Sequence, residues 1–353
     1  MNRHGCINPT LGAQWAACSS LASTSSGTRA SGTNLRMSRR SVMARYTAWR
    51  SSALNACSVT PVSLGGTIVA VSRDEVLITA TELAQRLDAD EPLTILDVRW
   101  QLTEPDGRAT YERGHLPCAV YVSLEDELSD HGVAGRGRHP LPSGRSVEAA
   151  ARRWGVRNGV PVVVYDDWNR AGSARAWWVL TAAGLPDVRI LDGGLSAWTG
   201  PLETGTVAAA SPGDVTVPHD DLYAGARPTL TAEQAAAADI LLDARAPERF
   251  RGDVEPVDPV AGHIQGARNV PSTGLLSDDG RFLPDGVLIE RIGDEHGPAT
   301  GVYCGSGVTA SVVLAALATV GVDAALYPGS WSEWSSDSRR PVARGSDPPT
   351  APG

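Results

Sequence analysis

Lysine is absent from this 353-residue chain, so all 31 of its basic side chains are arginine. That bias reads as GC-rich coding rather than as chemistry. Acidic residues are missing from positions 1–73, which carry eight arginines; taking that +8 from the overall charge of -9 leaves -17 on residues 74–353. An acidic body of that kind argues against nucleic acid as the main partner. Apolar runs long enough to span a membrane are also missing. Cysteine is scarce: Cys6, Cys18, Cys57, Cys118 and Cys304 include no C-x-x-C pair. An odd, unspaced set excludes a disulfide framework or a zinc site and points to a reducing, cytoplasmic setting. A P-loop and a cluster of metal ligands are lacking too, so the sequence calls for no cofactor and no metal.

What is present divides into a leader and a patterned body. Residues 1–73 are rich in Ser, Ala, Thr and Arg without sustained periodicity. Two readings stay open for them: a targeting presequence, or an extension ahead of a later start such as Met37, Met43 or Val71. Beyond it, helical spacing runs over Thr81–Leu87, Val147–Trp154 and Ser173–Ala183, and buried-strand runs over Leu93–Arg99, Ala119–Val122, Pro161–Tyr165 and Val188–Leu191. Residues 201–228 are Pro-, Gly- and Thr-rich and read as a linker. A second patterned stretch, 229–344, follows, and 345–353 is a polar tail.

The second stretch repeats the first. Leu96-Asp-Val-Arg99 matches Leu242-Asp-Ala-Arg245, Gly114-His115-Leu matches Gly262-His263-Ile, and Tyr165-Asp166 matches Tyr303-Cys304. The offset is 146 residues from Asp97 to Asp243 and 138 from Tyr165 to Tyr303. Strand and helix alternate in each copy, so the expected fold is α/β, with two domains (74–200 and 229–344) of mainly parallel sheet flanked by helices. Asp166 in the place of Cys304 marks the first copy as the inactive one.

Cys304 opens the turn Cys304-Gly-Ser-Gly-Val-Thr309 between a buried strand and the apolar run Ser311–Val320. Backbone amides collect at such a helix start, which favours a thiolate. A buried structural cysteine is the competing reading, but two glycines and two hydroxyl residues directly behind Cys304 favour a reactive sulfur. Ala310, six positions on, removes the arginine that a cysteine phosphatase would need.

Taken with Arg249-Phe-Arg-Gly…Gly-His-Ile and Tyr327-Pro-Gly-Ser-Trp-Ser-Glu-Trp334, these motifs resemble the tandem-domain rhodanese and 3-mercaptopyruvate sulfurtransferase family over residues 75–344. The resemblance implies transfer of sulfane sulfur from 3-mercaptopyruvate or thiosulfate to a thiol or cyanide through a Cys304 persulfide. A thioredoxin-like reductant is a further implied partner. A sulfur-carrier or regulatory binding module is the alternative. Persulfide chemistry needs donors around the sulfur, which Gly305, Gly307, Val308 and Thr309 are placed to supply along the turn. Ser306 adds a hydroxyl, and Arg249 is the implied substrate guanidinium. The resemblance also implies a His–Asp pair reaching the loop from the inactive domain, assigned here to His115 and Asp106; His263, at the matching place, leaves a fold-specific cap open for His115. Arg245 reads as structural. Mercaptopyruvate enzymes carry a second arginine nine positions after the first, where this chain has Asp258. Thiosulfate-preferring rhodaneses carry Arg-Lys after the cysteine, where it has Gly305-Ser306.

Overall fold

The computed structural model describes residues 72–209, 211–293 and 300–346. The leader readings, with Cys6, Cys18 and Cys57, and most of the C-terminal tail lie outside the described residues. Arg73, which the sequence assigns to the leader, lies in a short helix Arg73–Val76 and donates to the carbonyls of Phe282 and Leu283 at 2.8 and 3.0 Å.

Two all-parallel sheets form. The first has the order β1-β5-β4-β2-β3, with β1 Leu77–Ile78, β2 Thr94–Asp97, β3 Val120–Tyr121, β4 Val162–Tyr165 and β5 Val188–Leu191. The second has the order β7-β6-β8-β9, with β6 Ile240–Asp243, β7 Arg268–Asn269, β8 Thr300–Tyr303 and β9 Ala325–Leu326. The central strands are Val/Ile/Leu-rich and buried along their length, as strands covered on both faces must be. The repeat extends to register: Leu96 pairs with Val164 and Asp97 with Tyr165, as Leu242 pairs with Val302 and Asp243 with Tyr303. Where β1 flanks β5, the second half has a single parallel bridge from Thr229 to Leu326 beside β9.

The two halves share a core. Helix Ala171–Ala182 is buried at every residue but Thr181, and helix Ala310–Thr319 throughout. Each follows a central strand, β4 or β8, and the two pack on one another. Arg175 apart, their residues are apolar, small or hydroxyl-bearing, as burial on every side requires. One apolar cluster therefore runs through both halves, from Val164 and Trp178 to Val302 and Leu314. Among the described residues of 199–228, the one regular element is the 3-10 turn Leu222–Ala224. Backbone bonds strap the rest down: Glu203 with His115, Gly213 to Arg152 and Ala226 to Ala182.

Candidate active site

In the second sheet the chain turns outward to β7 on one side of β6 and to β8 and β9 on the other. The C-terminal ends of strands at such a reversal are where open α/β folds bind ligands, and β8 ends there in Tyr303-Cys304. The Gly307 amide donates to Cys304 Sγ at 3.1 Å. Gly307 has φ +79°, and a Cβ there would stand 2.7 Å from the Pro328 carbonyl oxygen; glycine is therefore required for the amide to turn inward. The Cys304 amide donates to Ser330 Oγ at 3.2 Å, while the carbonyls of Cys304 and Gly305 accept from the amides of Trp331 and Ser332. Ser330 itself sits at φ +53°. Val308 turns its side chain into the core, leaving its backbone to the loop, and Thr309 caps helix Ala310–Thr319 without a side-chain cap bond.

Ser306 meets a histidine, but not the expected one. His139 Nδ1 lies 2.7 Å from Ser306 Oγ, and His139 Nε2 lies 3.1 Å from Glu125 Oε1. Glu125 also accepts from Trp100 Nε1 at 2.6 Å and lies 2.9 Å from His131 Nε2. Burial alone would raise Glu125, but the bonds from His139 and Trp100 outweigh it and bring its pKa down to about 2. Burial pulls His139 below its ordinary value, only partly offset by Glu125. A carboxylate can only accept, so Nε2 carries the proton of the neutral ring and Nδ1 is left to accept from the Ser306 hydroxyl.

His115 lies apart from this contact. It is fully buried, its Nδ1 is 3.0 Å from the Tyr111 carbonyl oxygen, and its ring stacks on Tyr111 at 4.1 Å. His263 does the same in the second half, 2.8 Å from the Phe250 carbonyl oxygen and stacked on Phe250 at 3.7 Å. Both histidines lock the end of a short helix to a backbone bridge, with Glu203 or Ala343. Asp106 is exposed and accepts from Tyr121 Oη and the Arg108 amide, at the start of helix Arg108–Arg113. Neither it nor His115 makes a bond to the Cys304 loop among the described residues. Arg245 is structural in the same sense: it pairs with Asp243 at 2.6 Å and donates to the Gly262 carbonyl, as Arg99 does with Asp97 and Gly114.

Two guanidinium groups flank the loop. A Cβ on Gly305 would lie 3.4 Å from Arg138 Nη2 and 3.5 Å from Arg249 Nη1, so both arginines face the residue next to the cysteine. Arg249 comes from helix Pro247–Arg251 of the second half, and Arg138 arrives from the first. Behind them Asp258 accepts from Arg138 Nη1 at 2.8 Å and from Arg249 Nη2 at 3.2 Å. Glu255 accepts from Arg249 Nη2 at 2.6 Å and from the amides of Val257 and Asp258, which builds the turn presenting Asp258. A fully buried Arg175 on helix Ala171–Ala182 donates to the carbonyls of Leu128, His139 and Gly307. Burial brings its pKa down to about 10, so it stays a cation at neutral pH.

The matching loop of the first half shows the contrast. Asp166 accepts from the amides of Trp168, Arg170 and Ser173 and from Ser173 Oγ, and pairs with Arg170 at 2.9 Å. A fixed carboxylate thus fills the place that Cys304 holds in the other half.

A family model described as a rhodanese-like domain matches residues 79–201 and again 228–337. The chain belongs to the rhodanese family. SseB of Mycobacterium tuberculosis, provisionally named a thiosulfate sulfurtransferase, is 67% identical over 281 residues, 78% of this chain and 99% of that one. The 3-mercaptopyruvate sulfurtransferase of Escherichia coli is 35% identical over 291 residues, 75% of this chain and 96% of that one. Among solved structures, the E. coli 3-mercaptopyruvate sulfotransferase SseA matches with a TM-score of 0.62 and 32% identity, over 72% of this chain and 98% of that one. The enzyme from Leishmania major matches with a TM-score of 0.66 and 29% identity, over 76% of each chain. This rhodanese is a sulfurtransferase.

Glu125, Arg138, His139, Arg175 and Ser330 escaped the reading of the sequence. A signal was present for two of them. Gly137-Arg138-His139 aligns with Gly280-Arg281-Phe282, and each triplet lies against the other half's loop: Gly137 beside Gly329, and Gly280 beside Trp168 and Gly193. Histidine where the second copy has phenylalanine is the same kind of asymmetry as Cys304 against Asp166. Among the described residues no His/Cys/Asp/Glu group could hold a metal ion, and no helix is long and apolar enough to cross a membrane.

Proposed function

We propose that the chain carries sulfane sulfur on Cys304 from a small anionic donor to a thiolate or cyanide. The reading rests above all on the Gly307 amide aimed at Cys304 Sγ with two guanidinium groups facing the adjoining residue. In the first step the Cys304 thiolate attacks the sulfane sulfur of the donor. A new S–S bond forms, and the donor's bond to that sulfur breaks with its electron pair, leaving as sulfite from thiosulfate or as an enolate from 3-mercaptopyruvate. The persulfide anion stays among the loop amides. In the second step the acceptor attacks the outer sulfur, and Cys304 leaves as thiolate. A dithiol protein of the thioredoxin type suits the same role as acceptor, and such thiol chemistry fits a reducing, cytoplasmic setting.

Ser306, His139 and Glu125 form a proton relay. An acceptor thiol with a pKa of about 8.5 is mostly protonated at neutral pH. Neutral His139 can take that proton through Ser306 in the second step; in the first it can take the proton of the 3-mercaptopyruvate thiol by the same route and return it to the departing enolate. Arg138 and Arg249 hold the donor's charge. The test is mass spectrometry of the intact protein after donor treatment: a gain of about 32 Da on Cys304, absent in Cys304→Ser, is expected. A folded protein that gains no such mass from either donor would sink the reading.

A further inference from the structure

The four nitrogens at the tips of Arg138 and Arg249 are divided. Arg138 Nη2 and Arg249 Nη1 point towards Gly305, and among the described residues neither has a hydrogen bond or ion pair. Arg138 Nη1 and Arg249 Nη2 each hold one oxygen of Asp258, although Arg249 Nη2 still lies 3.7 Å from the same Cβ position on Gly305. The side chains of Asp258 and Glu255 are 2% and 3% exposed, so the outer edge is already closed by carboxylates of the protein. Two positive and two negative charges then cancel, and only the inner edge next to the cysteine remains open to an anion.

We propose that Asp258 sets donor specificity, occupying the outer arginine edge and so favouring donors whose charge lies beside the transferable sulfur. In thiosulfate the oxyanion is bonded directly to the sulfane sulfur and needs only the inner edge. In 3-mercaptopyruvate the carboxylate lies beyond a methylene and a carbonyl carbon, so it reaches outward to nitrogens that Asp258 holds. Asp258 is a rival carboxylate, tethered to the chain, with each oxygen in a charge-assisted bond to a different guanidinium. A soluble carboxylate must displace it and leave a buried anion without partners, which is the costly state for such a group. The charge reversal at 258 thereby acts as an obstacle to one donor class rather than as a lost contact. The inference rests on the Cys304 persulfide reading.

The test compares kcat/KM for the two donors in the wild type and in Asp258→Asn, which keeps the shape and an acceptor oxygen but drops the charge. The expected result is a rise of about tenfold or more for 3-mercaptopyruvate, mainly through KM, with thiosulfate changing by less than about threefold. A ratio of the two constants that moves by less than about threefold overturns the proposal. A second measurement needs no variant: against thiosulfate, sulfate should inhibit the wild type about tenfold more strongly than pyruvate, and equal inhibition overturns the proposal. Wild-type Cys304 that takes up sulfur from thiosulfate while both ratios fail sinks the role of Asp258 alone. Wild-type Cys304 that takes up none from either donor sinks the persulfide reading beneath it.

Discussion

His139 ties the chemistry of the loop to a proton, and its burial fixes where that proton is lost. The ring must be neutral to accept from Ser306, and burial holds its pKa below 6.5. The acid limb of kcat with a thiol acceptor should therefore lie below pH 6.5, with activity on the plateau above it. Glu125 raises the ring's pKa in part, so Glu125→Gln should move that limb to still lower pH while reducing kcat. A limb that stayed in place or rose would separate Glu125 from the ring. His139→Asn should cost about 10²–10⁴ in kcat, and His115→Asn should leave the acid limb unmoved. The sequence hid this division because Gly114-His115 sits in a motif that both copies carry, which drew attention to a residue whose role is to close a helix. His139 lies in the stretch 130–142, which has neither helical nor strand period, and its partner Ser306 is 167 residues away. Only the fold brings them together.

At the level of elements, the strands and the cysteine turn were legible because they are written in local pattern: Val162–Tyr165 and Thr300–Tyr303 are short buried runs ending at a turn. The segment from Leu128 to His139 was not legible, since what shapes it is a side chain from elsewhere. Arg175 holds both ends of it, at the carbonyls of Leu128 and His139, and reaches Gly307 as well. Bonds from a charged donor are worth about 1.5–3 kcal/mol each. Arg175→Gln should lower Tm by roughly 10 °C or more and lower kcat with it, because His139 and the loop lose a common support. A variant with normal Tm and normal kcat would show that the segment holds its shape unaided. Glu255 works similarly at shorter range, its carboxylate gathering the amides of Val257 and Asp258.

For the molecule as a whole, the repeat predicted two domains, and the structure joins them through two helices that are buried almost throughout. Neither helix can face water alone. Thermal unfolding of residues 72–346 should therefore be a single transition by both calorimetry and circular dichroism; two resolved transitions would show the halves to be independent. The halves are also chemically incomplete apart: the second owns the nucleophile and Arg249, and the first owns His139, Glu125, Arg138 and Arg175. One consequence concerns the order in which a ribosome makes this chain. The first half emerges with Asp166, not a cysteine, at the end of its central strand. With helix Ala171–Ala182 buried against a helix not yet made, it cannot close its core until Ala310–Thr319 follows. On the proposed persulfide reading, the cysteine and the groups that serve it therefore come into register in the same late step.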